Sequence, residues 1–450
     1  MKAIYNNSQI LDQNAINNGL NEDILLENAG ISLAKLIKKE QKKFNKAKAL
    51  FLLGGGNNAC DALVAIRHLK KCKAFKLEFK ENENFKKQSR ILGNYGFKFL
   101  KKEPNFNKFD IIVDAVFGSG FKGKLNTKTI EIFQKVNSSK ALKIACDIPS
   151  GLGMEFCFKA DITLCMGALK EILLEDFAKE FVGKIKIANL GISNKKFIKE
   201  PQGFLLKEKD LNIIKRKVNS SKANFGHIYI AGNESAGTLA ALGALNFGAG
   251  LVSLVAKKTF SPLIMLKDKI EPKANVVALG MGLNNLDILK DDILDNIPLV
   301  LDANCFLSEN ILNFLQRKDV ILTPHPKEFS RLLKFCFKED ISTSVIQKNR
   351  FFYARKFTNT FECVLLLKGA NPIIIQKDQL FVVNLGNANL AKGGSGDVLS
   401  GMIAALLGAN FSPLDAAKNA CLAHALVAKK YKFNQNSFDA LKLIKGLKCI

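Results

Sequence analysis

The sequence predicts an α/β protein of two domains, each built on an open parallel sheet with helices on both faces. Three observations predict it. Short apolar runs alternate with stretches of helical periodicity, glycine or polar residues close nearly every apolar run, and a polar Lys-rich stretch divides two such series. The dividing stretch lies between Asn194 and Phe225 and carries Pro201 and Asn219-Ser220-Ser221, which places the boundary near Gly203 to Lys207 and gives domains 1–205 and 206–450.

In the first domain, residues 22–44 repeat apolar side chains at helical spacing (Ile24, Leu25, Ala29, Leu33, Leu36, Ile37). The run Ala47 to Leu53 ends in Gly54-Gly55-Gly56-Asn57-Asn58-Ala59-Cys60-Asp61, a Gly-rich turn expected to lead into a helix over 62–70. No GK[ST] follows, so this is not a phosphate-binding Walker loop. Its Asn and Asp side chains offer oxygens suited to a sugar or a hard monovalent cation. Further strands are expected over 74–79, 111–117, 142–146, 162–166 and 185–188. The second of these leads to Gly118-Ser119-Gly120-Phe121-Lys122-Gly123, a formal GxGxxG without the acidic residue that a dinucleotide fold places some twenty positions on. Asp114 interrupts an apolar run, where a carboxylate is costly unless paired or liganded. Asp147-Ile148-Pro149-Ser150 closes another strand, so Asn58, Asp114 and Ser150 can share one site at the strand ends.

The second domain repeats the scheme. Its apolar runs end at Gly232-Asn233-Glu234-Ser235, Gly280-Met281-Gly282, Asp302-Ala303-Asn304, Thr323-Pro324-His325-Pro326-Lys327-Glu328 and Lys368-Gly369-Ala370. A helix crowded with Ala and Gly is expected over 236–250, where small residues permit close packing. His325, held between two prolines, points to a ligand contact. Lys368 suits either a phosphate or a solvated strand end. Gly393-Gly394-Ser395-Gly396-Asp397 runs into an apolar helix over 398–407, so unpaired amides at the positive end of the helix dipole favour an anion there. Asp397 is then either a base beside a transferring phosphoryl group or simply a first-turn helix residue.

Composition narrows the function classes. The chain has 450 residues, 48% of them hydrophobic, and a formal charge of +26 from 67 basic and 41 acidic residues. The basic excess is scattered Lys with no Arg–aromatic cluster, which argues for solvated helix faces and against a nucleic-acid partner. The ten Cys stand singly and the four His are scattered, so no zinc spacing arises, and the thiols read as free in a reducing cytoplasm. No apolar run reaches membrane-spanning length and the start lacks a signal-peptide pattern, so a soluble cytoplasmic protein is expected.

In order, LENAG, GGGNN-x-x-D, DAVFGSG and DIPSGL resemble the NAD(P)H-hydrate epimerase domain over residues 1–201. The resemblance implies a Rossmann-like three-layer α/β/α sandwich. It also implies contact with the hydrated dinucleotide by Asn57, Asn58, Ala59, Cys60, Asp61, Gly118, Ser119, Gly120, Phe121, Lys122, Gly123, Lys124 and Asp147, and potassium at Asn58, Asp114 and Ser150. The family's NNGGDG loop has gained side chains here at Ala59, Cys60 and Ala62, which would impair binding if the loop requires positive φ. FGHIYIAG, TPHPKE, LLLKGA and GNANLAKGGSGDVLSG resemble the ribokinase-like NAD(P)H-hydrate dehydratase domain over residues 206–450, with Ser235 where many relatives have Gly. That resemblance implies Ala236, Gly282, His325 and Asp397 on the hydrated dinucleotide. It implies Lys368, Gly369, Ala370, Asn371, Asn387, Ala388, Asn389, Leu390, Ala391, Gly393, Gly394, Ser395 and Gly396 on ADP, or alternatively ATP, with Mg²⁺.

The expected function is repair of hydrated NADH and NADPH, with Asp397 as catalytic base. The expected partners are these small molecules and copies of the chain in a homo-oligomer, with neither nucleic acid nor membrane. The alternative is a ribokinase-superfamily kinase of a vitamin precursor, fused to an inactive binding module.

Overall fold

The computed structural model describes all residues except Asn7, Ser8, Asn45, Lys46, Lys122, Ile198 and Lys199. The chain forms two compact units, residues 3–201 and residues 202–450 together with Met1 and Lys2.

The first unit holds six parallel strands, β1 (Ala49–Leu53), β2 (Cys72–Lys76), β3 (Ile111–Ala115), β4 (Leu142–Cys146), β5 (Ile162–Met166) and β6 (Lys184–Ala188), in the order β2-β1-β3-β4-β5-β6. Alternation along β1 shows why both faces are covered. Ala49, Phe51 and Leu53 pack with the helices α2 (Glu22–Gln41), α3 (Asn57–Arg67) and α4 (Glu83–Asn94), and Leu50 and Leu52 pack with α5 (Thr127–Asn137). A short helix, α1 (Gln9–Asn17), precedes them.

The expected turn at residues 54–61 is corrected. The helix begins at Asn57, with Gly56 as its N-cap residue, and not at Ala62. Ala59 and Cys60 stabilise this early start because their side chains are completely buried in the core shared with α2 and β1. The expected helix over 236–250 is likewise α6, Glu234–Asn246, drawn forward by Asn233, whose side chain accepts from the Ala236 amide at 2.7 Å.

In the second unit the strands are β7 (His227–Ala231), β8 (Leu251–Val255), β9 (Met265–Lys267), β10 (Val276–Leu279), β11 (Leu299–Leu301), β12 (Val320–Leu322), β13 (Val364–Leu367), β14 (Ile373–Gln376) and β15 (Gln379–Val382). They lie in the order β9-β8-β7-β10-β11-β12-β13-β14-β15, parallel as far as β13 and antiparallel from there to β15. α6, α8 (Ser395–Gly408) and α9 (Pro413–Lys430) cover one face. Their crossing depends on glycine: a Cβ on Gly401 would stand 1.8 Å from the Ala240 carbonyl oxygen, and one on Gly243 2.7 Å from that of Val398. The Ala/Gly richness of α6 is therefore a packing device that seats α8 on the sheet. α7 (Pro326–Phe337) follows β12. No helix among the described residues is long and apolar enough to cross a membrane. Of the ten free cysteines, Cys449 is exposed and Cys72 and Cys336 are only partly covered.

Candidate active sites

The first site is a cavity of about 600 Å³ at the carboxyl ends of β1, β3 and β4. Helical geometry sorts the residues of α3. Asn57, Asn58 and Asp61 line the cavity, while Ala59 and Cys60 point into the core. None of Ala59, Cys60 and Ala62 has positive φ, and all three are fully buried. The positive φ on which impairment was conditional is absent, and these side chains fill the core behind the cavity without lining it. Gly118, Ser119, Gly120 and Phe121 line the opposite wall, with the Phe121 ring stacked on Phe117 at 3.7 Å. Gly123 and Lys124 are not among the lining residues; Gly123 sits instead under the Phe121 ring, where a Cβ would approach to 2.8 Å. Lys122 lies outside the described residues.

Asp147 is buried and holds a left-handed φ of 68°, a strained conformation for a non-glycine residue. It is held there by the Met166 amide, which donates to its carboxylate at 3.1 Å, and by the buried Lys170 ammonium at 2.5 Å. Burial opposes the charge on Lys170, and the Asp147 carboxylate outweighs it, so the lysine pKa is raised. Lys170, Asp12 and Gln9 were not legible as site residues. Lys170 is brought in by a two-residue strand that pairs Leu169 with Ile4 and Lys170 with Tyr5. Its only signal in the sequence is a lysine inside the run GALKEILL.

Asn58, Asp114 and Ser150 do converge. The fully buried Asp114 carboxylate accepts from the amides of Val116 (3.1 Å) and Ser150 (2.7 Å) and from the Ser150 hydroxyl (2.6 Å). Burial raises its pKa to about 6 against these donors. The Asn58 side-chain amide donates to the Phe117 carbonyl at 2.9 Å, leaving Asn58 Oδ1 buried and unpartnered among the described residues. An orphaned oxygen beside a carboxylate, a hydroxyl and a backbone carbonyl fits a hard monovalent cation.

The second site stands at the carboxyl ends of β11, β12 and β13, facing the start of α8. Gly394 begins this helix at φ 87° and no side chain caps it, so the first-turn amides stay open to an anion. Asp302, which follows β11, is only 1% exposed and binds Lys368 Nζ at 2.6 Å, while the Ser400 hydroxyl donates to its other oxygen at 2.7 Å. Asp397 lies in the first turn of α8, and burial, then Asp302, raise its pKa to about 6 against Lys368. A carboxyl held there is suited to accept a proton near neutrality. Asp302 was not singled out from sequence, where LDAN at a strand end was its only trace. Nor was Arg350, fully buried, whose guanidinium donates to the carbonyls of Leu367, Lys368 and Asn371 (3.0, 2.9 and 3.0 Å) and so stiffens the 368–371 turn.

His325 is less free than its setting between prolines suggested. It is the N-cap of α7: its Nδ1 accepts from the amides of Lys327 and Glu328 at 3.1 and 3.2 Å, and its own amide donates to the Glu328 carboxylate at 2.8 Å. Burial lowers the His325 pKa, and with Nδ1 accepting, the ring proton sits on Nε2, 3.2 Å from the Glu328 carboxylate. Gly282 and Ala236 meet through Asn233. A Cβ on Gly282, whose φ is 67°, would stand 2.0 Å from the side chain of Asn233, which in turn caps α6 at Ala236. Asn387 and Asn389 donate to the Ala428 carbonyl at 3.2 and 3.1 Å, and the Ser395 hydroxyl donates to the Leu390 carbonyl at 2.8 Å, tying the 387–391 segment to the start of α8. Asn389, 2% exposed, anchors that segment from within.

Comparison with known proteins gives these sites a context. Residues 229–448 match the family described as NAD(P)H-hydrate dehydratase, and residues 22–172 match the YjeF-related protein N-terminus. A bifunctional NAD(P)H-hydrate repair enzyme of Helicobacter pylori is 37% identical, over 100% of both chains. That of Escherichia coli is 31% identical over 71% of this chain and 67% of its own. Among solved structures, an ADP/ATP-dependent NAD(P)H-hydrate dehydratase of Bacillus subtilis, co-crystallised with ATP and Mg²⁺, is 26% identical with a TM-score of 0.46, covering 54% of this chain and 94% of that one. The chain belongs to the family of bifunctional NAD(P)H-hydrate repair enzymes, which join an epimerase and a nucleotide-dependent dehydratase of hydrated NADH and NADPH.

Proposed function

We propose that residues 1–205 carry the epimerase and residues 206–450 the dehydratase, each at the cavity or helix terminus described above. In the dehydratase, hydroxide is a poor leaving group, so the ring hydroxyl is first phosphorylated and the ring nitrogen lone pair then expels phosphate. Asp397 takes the hydroxyl proton, and the open amides at the start of α8 hold the transferring phosphoryl group. The single observation that carries this reading is the uncapped start of α8 with Asp397 in its first turn, beside Asp302 and Lys368. Lys368 neutralises Asp302 in this structure and is placed to turn toward a phosphate; its Nζ stands 3.2 Å from where a Cβ on Gly396 would lie, so it reaches the start of α8. Mg²⁺ bound with the nucleotide would neutralise phosphate charge, and the Asp302 carboxylate is suited to help hold it once Lys368 turns away. Gly369, Ala370 and Asn371 follow on the turn stiffened by Arg350 and complete the nucleotide side. Ala236, Gly282 and His325 Nε2 face the hydrated ring.

In the epimerase, Asn58, Asp114 and Ser150 would hold potassium, which supplies a fixed positive charge behind the substrate. Asn57, Asp61, Gly118 to Phe121 and Asp147 bind the dinucleotide. Replacing potassium by tetramethylammonium is expected to slow epimerisation in the wild-type chain and to leave Asn58→Ala indifferent; equal rates in both salts would remove potassium from the account. ADP as preferred donor, a homo-oligomer and a cytoplasmic location belong to the same reading. They are read out by donor competition, light scattering and cell fractionation.

A further inference from the structure

The epimerase cavity carries a charge arrangement that dinucleotide binding does not account for. Three carboxylates, Asp12, Asp61 and Asp147, line it with one buried ammonium, Lys170; the other lining cation, Lys80, is exposed. Lys170 is committed to Asp147 at 2.5 Å. Asp61, on the second turn of α3, has no hydrogen bond or ion pair among the described residues, yet it is largely covered and faces the cavity. Unpartnered carboxyls in covered positions are costly, and structures keep them where they act.

Inversion at the hydroxyl-bearing ring carbon needs such a group. The ring nitrogen lone pair forms a C=N bond as the C–O bond breaks, and the departing oxygen takes a proton to leave as water. A water then adds to the opposite face, the C=N electrons return to nitrogen, and the added oxygen gives up a proton. One water leaves and one returns, and nothing is oxidised or reduced. The species between the two steps is a planar cation, which a cavity with surplus carboxylate stabilises.

We propose that Asp61 is a catalytic residue of the epimerisation, donating the proton to the departing hydroxyl on its own face and regaining one from solvent. The water that adds to the opposite face gives up its proton to solvent, and Asp12 and the Asp147–Lys170 pair shape the field around the cation. The proposal rests on assigning the epimerase to the first domain. Burial, then Asp147 and Asp12, raise the Asp61 carboxyl well above its ordinary range against Lys170, toward the protonated form a donor requires.

The test uses the full chain, the pure R hydrate of NADPH and no nucleotide, with the epimers resolved by chromatography. Wild type no faster than buffer would remove the epimerase assignment itself. With wild type active, Asp61→Asn is expected to lower kcat by about 10²–10⁴-fold while KM moves little, and Asp61→Glu to recover part of the rate. Denaturant unfolding of each variant, followed for the first domain's own transition, reports whether that domain is folded, and Asp61→Ser replaces any variant in which it is not. A variant lacking the carboxyl with unchanged kcat, or with only a raised KM, would overturn the proposal and leave the assignment standing.

Discussion

Replacing Gly401 by alanine sets two physical effects of opposite sign against each other. In a helix interior alanine is favoured over glycine by about 1 kcal/mol, so propensity alone stabilises the variant. The crossing of α8 over α6 opposes it: the new Cβ would stand 1.8 Å from the Ala240 carbonyl oxygen, a backbone atom that no rotamer change can move. A carbon–oxygen approach is comfortable at about 3.3 Å, so the helices must part by roughly 1.5 Å. Overpacking of this kind costs up to about 3 kcal/mol or more, which leaves a net loss of about 2 kcal/mol. For a domain of this size, that lowers the melting temperature by about 4–8 °C. Function follows the same displacement. Asp397 lies one turn before Gly401 on α8, and an ångström of misplacement costs on the order of 10² in rate. Thermal unfolding of the full chain, paired with nucleotide-dependent NADH regeneration, measures both. A melting temperature that rises by about 2–4 °C, as propensity alone requires, would refute the close crossing.

Asp302→Asn removes the carboxylate that, after burial, holds the Asp397 pKa up at about 6, and it frees Lys368 to draw that pKa down. Since the base acts as carboxylate, wild-type dehydratase activity is lost as pH falls through about 6, and in the variant that acidic limb moves to lower pH; an unmoved or raised limb contradicts the assignment. Cys60→Gly restores the family's glycine but empties a fully buried core position inside α3, so it is expected to cost about 1–2 kcal/mol in thermal unfolding without speeding epimerisation. A faster epimerase would show that Cys60 does obstruct the cavity. Asp147→Asn leaves the buried Lys170 ammonium without its carboxylate and is expected to destabilise the first domain by about 3–5 kcal/mol in denaturant unfolding, where a loss under 1 kcal/mol would mean that the pair is solvent-screened.

The sheet edges were legible because glycine and polar residues interrupt apolar runs where parallel strands end, and that pattern pointed to Asn58, Ser150 and Lys368, while Asp114 stood out as a carboxylate inside an apolar run and Asp397 as one at a Gly-rich helix start. Helix starts were less legible. Asn57 to Asp61 read as a loop because Gly-Gly-Gly-Asn-Asn carries turn chemistry, yet burial of Ala59 and Cys60 against α2 draws the helix forward over it. Partners distant in sequence were not legible at all. Lys170 reaches Asp147 through strand pairing with residues 4 and 5, and Arg350 reaches the 368–371 turn across the second domain's interior. The meaning of the Ala/Gly stretch in α6 likewise appears only with its partner, because Gly243 and Gly401 matter through the helix each faces.

The central claim is tested most directly by following NADH absorbance when the purified chain meets a mixture of R and S NADH hydrate with Mg²⁺ and ADP or ATP. The account predicts regeneration that runs past the initial S fraction faster than spontaneous epimerisation allows, and that is lost in Asp397→Ala while R-to-S conversion persists. No regeneration with either nucleotide, or full regeneration by Asp397→Ala, would contradict it.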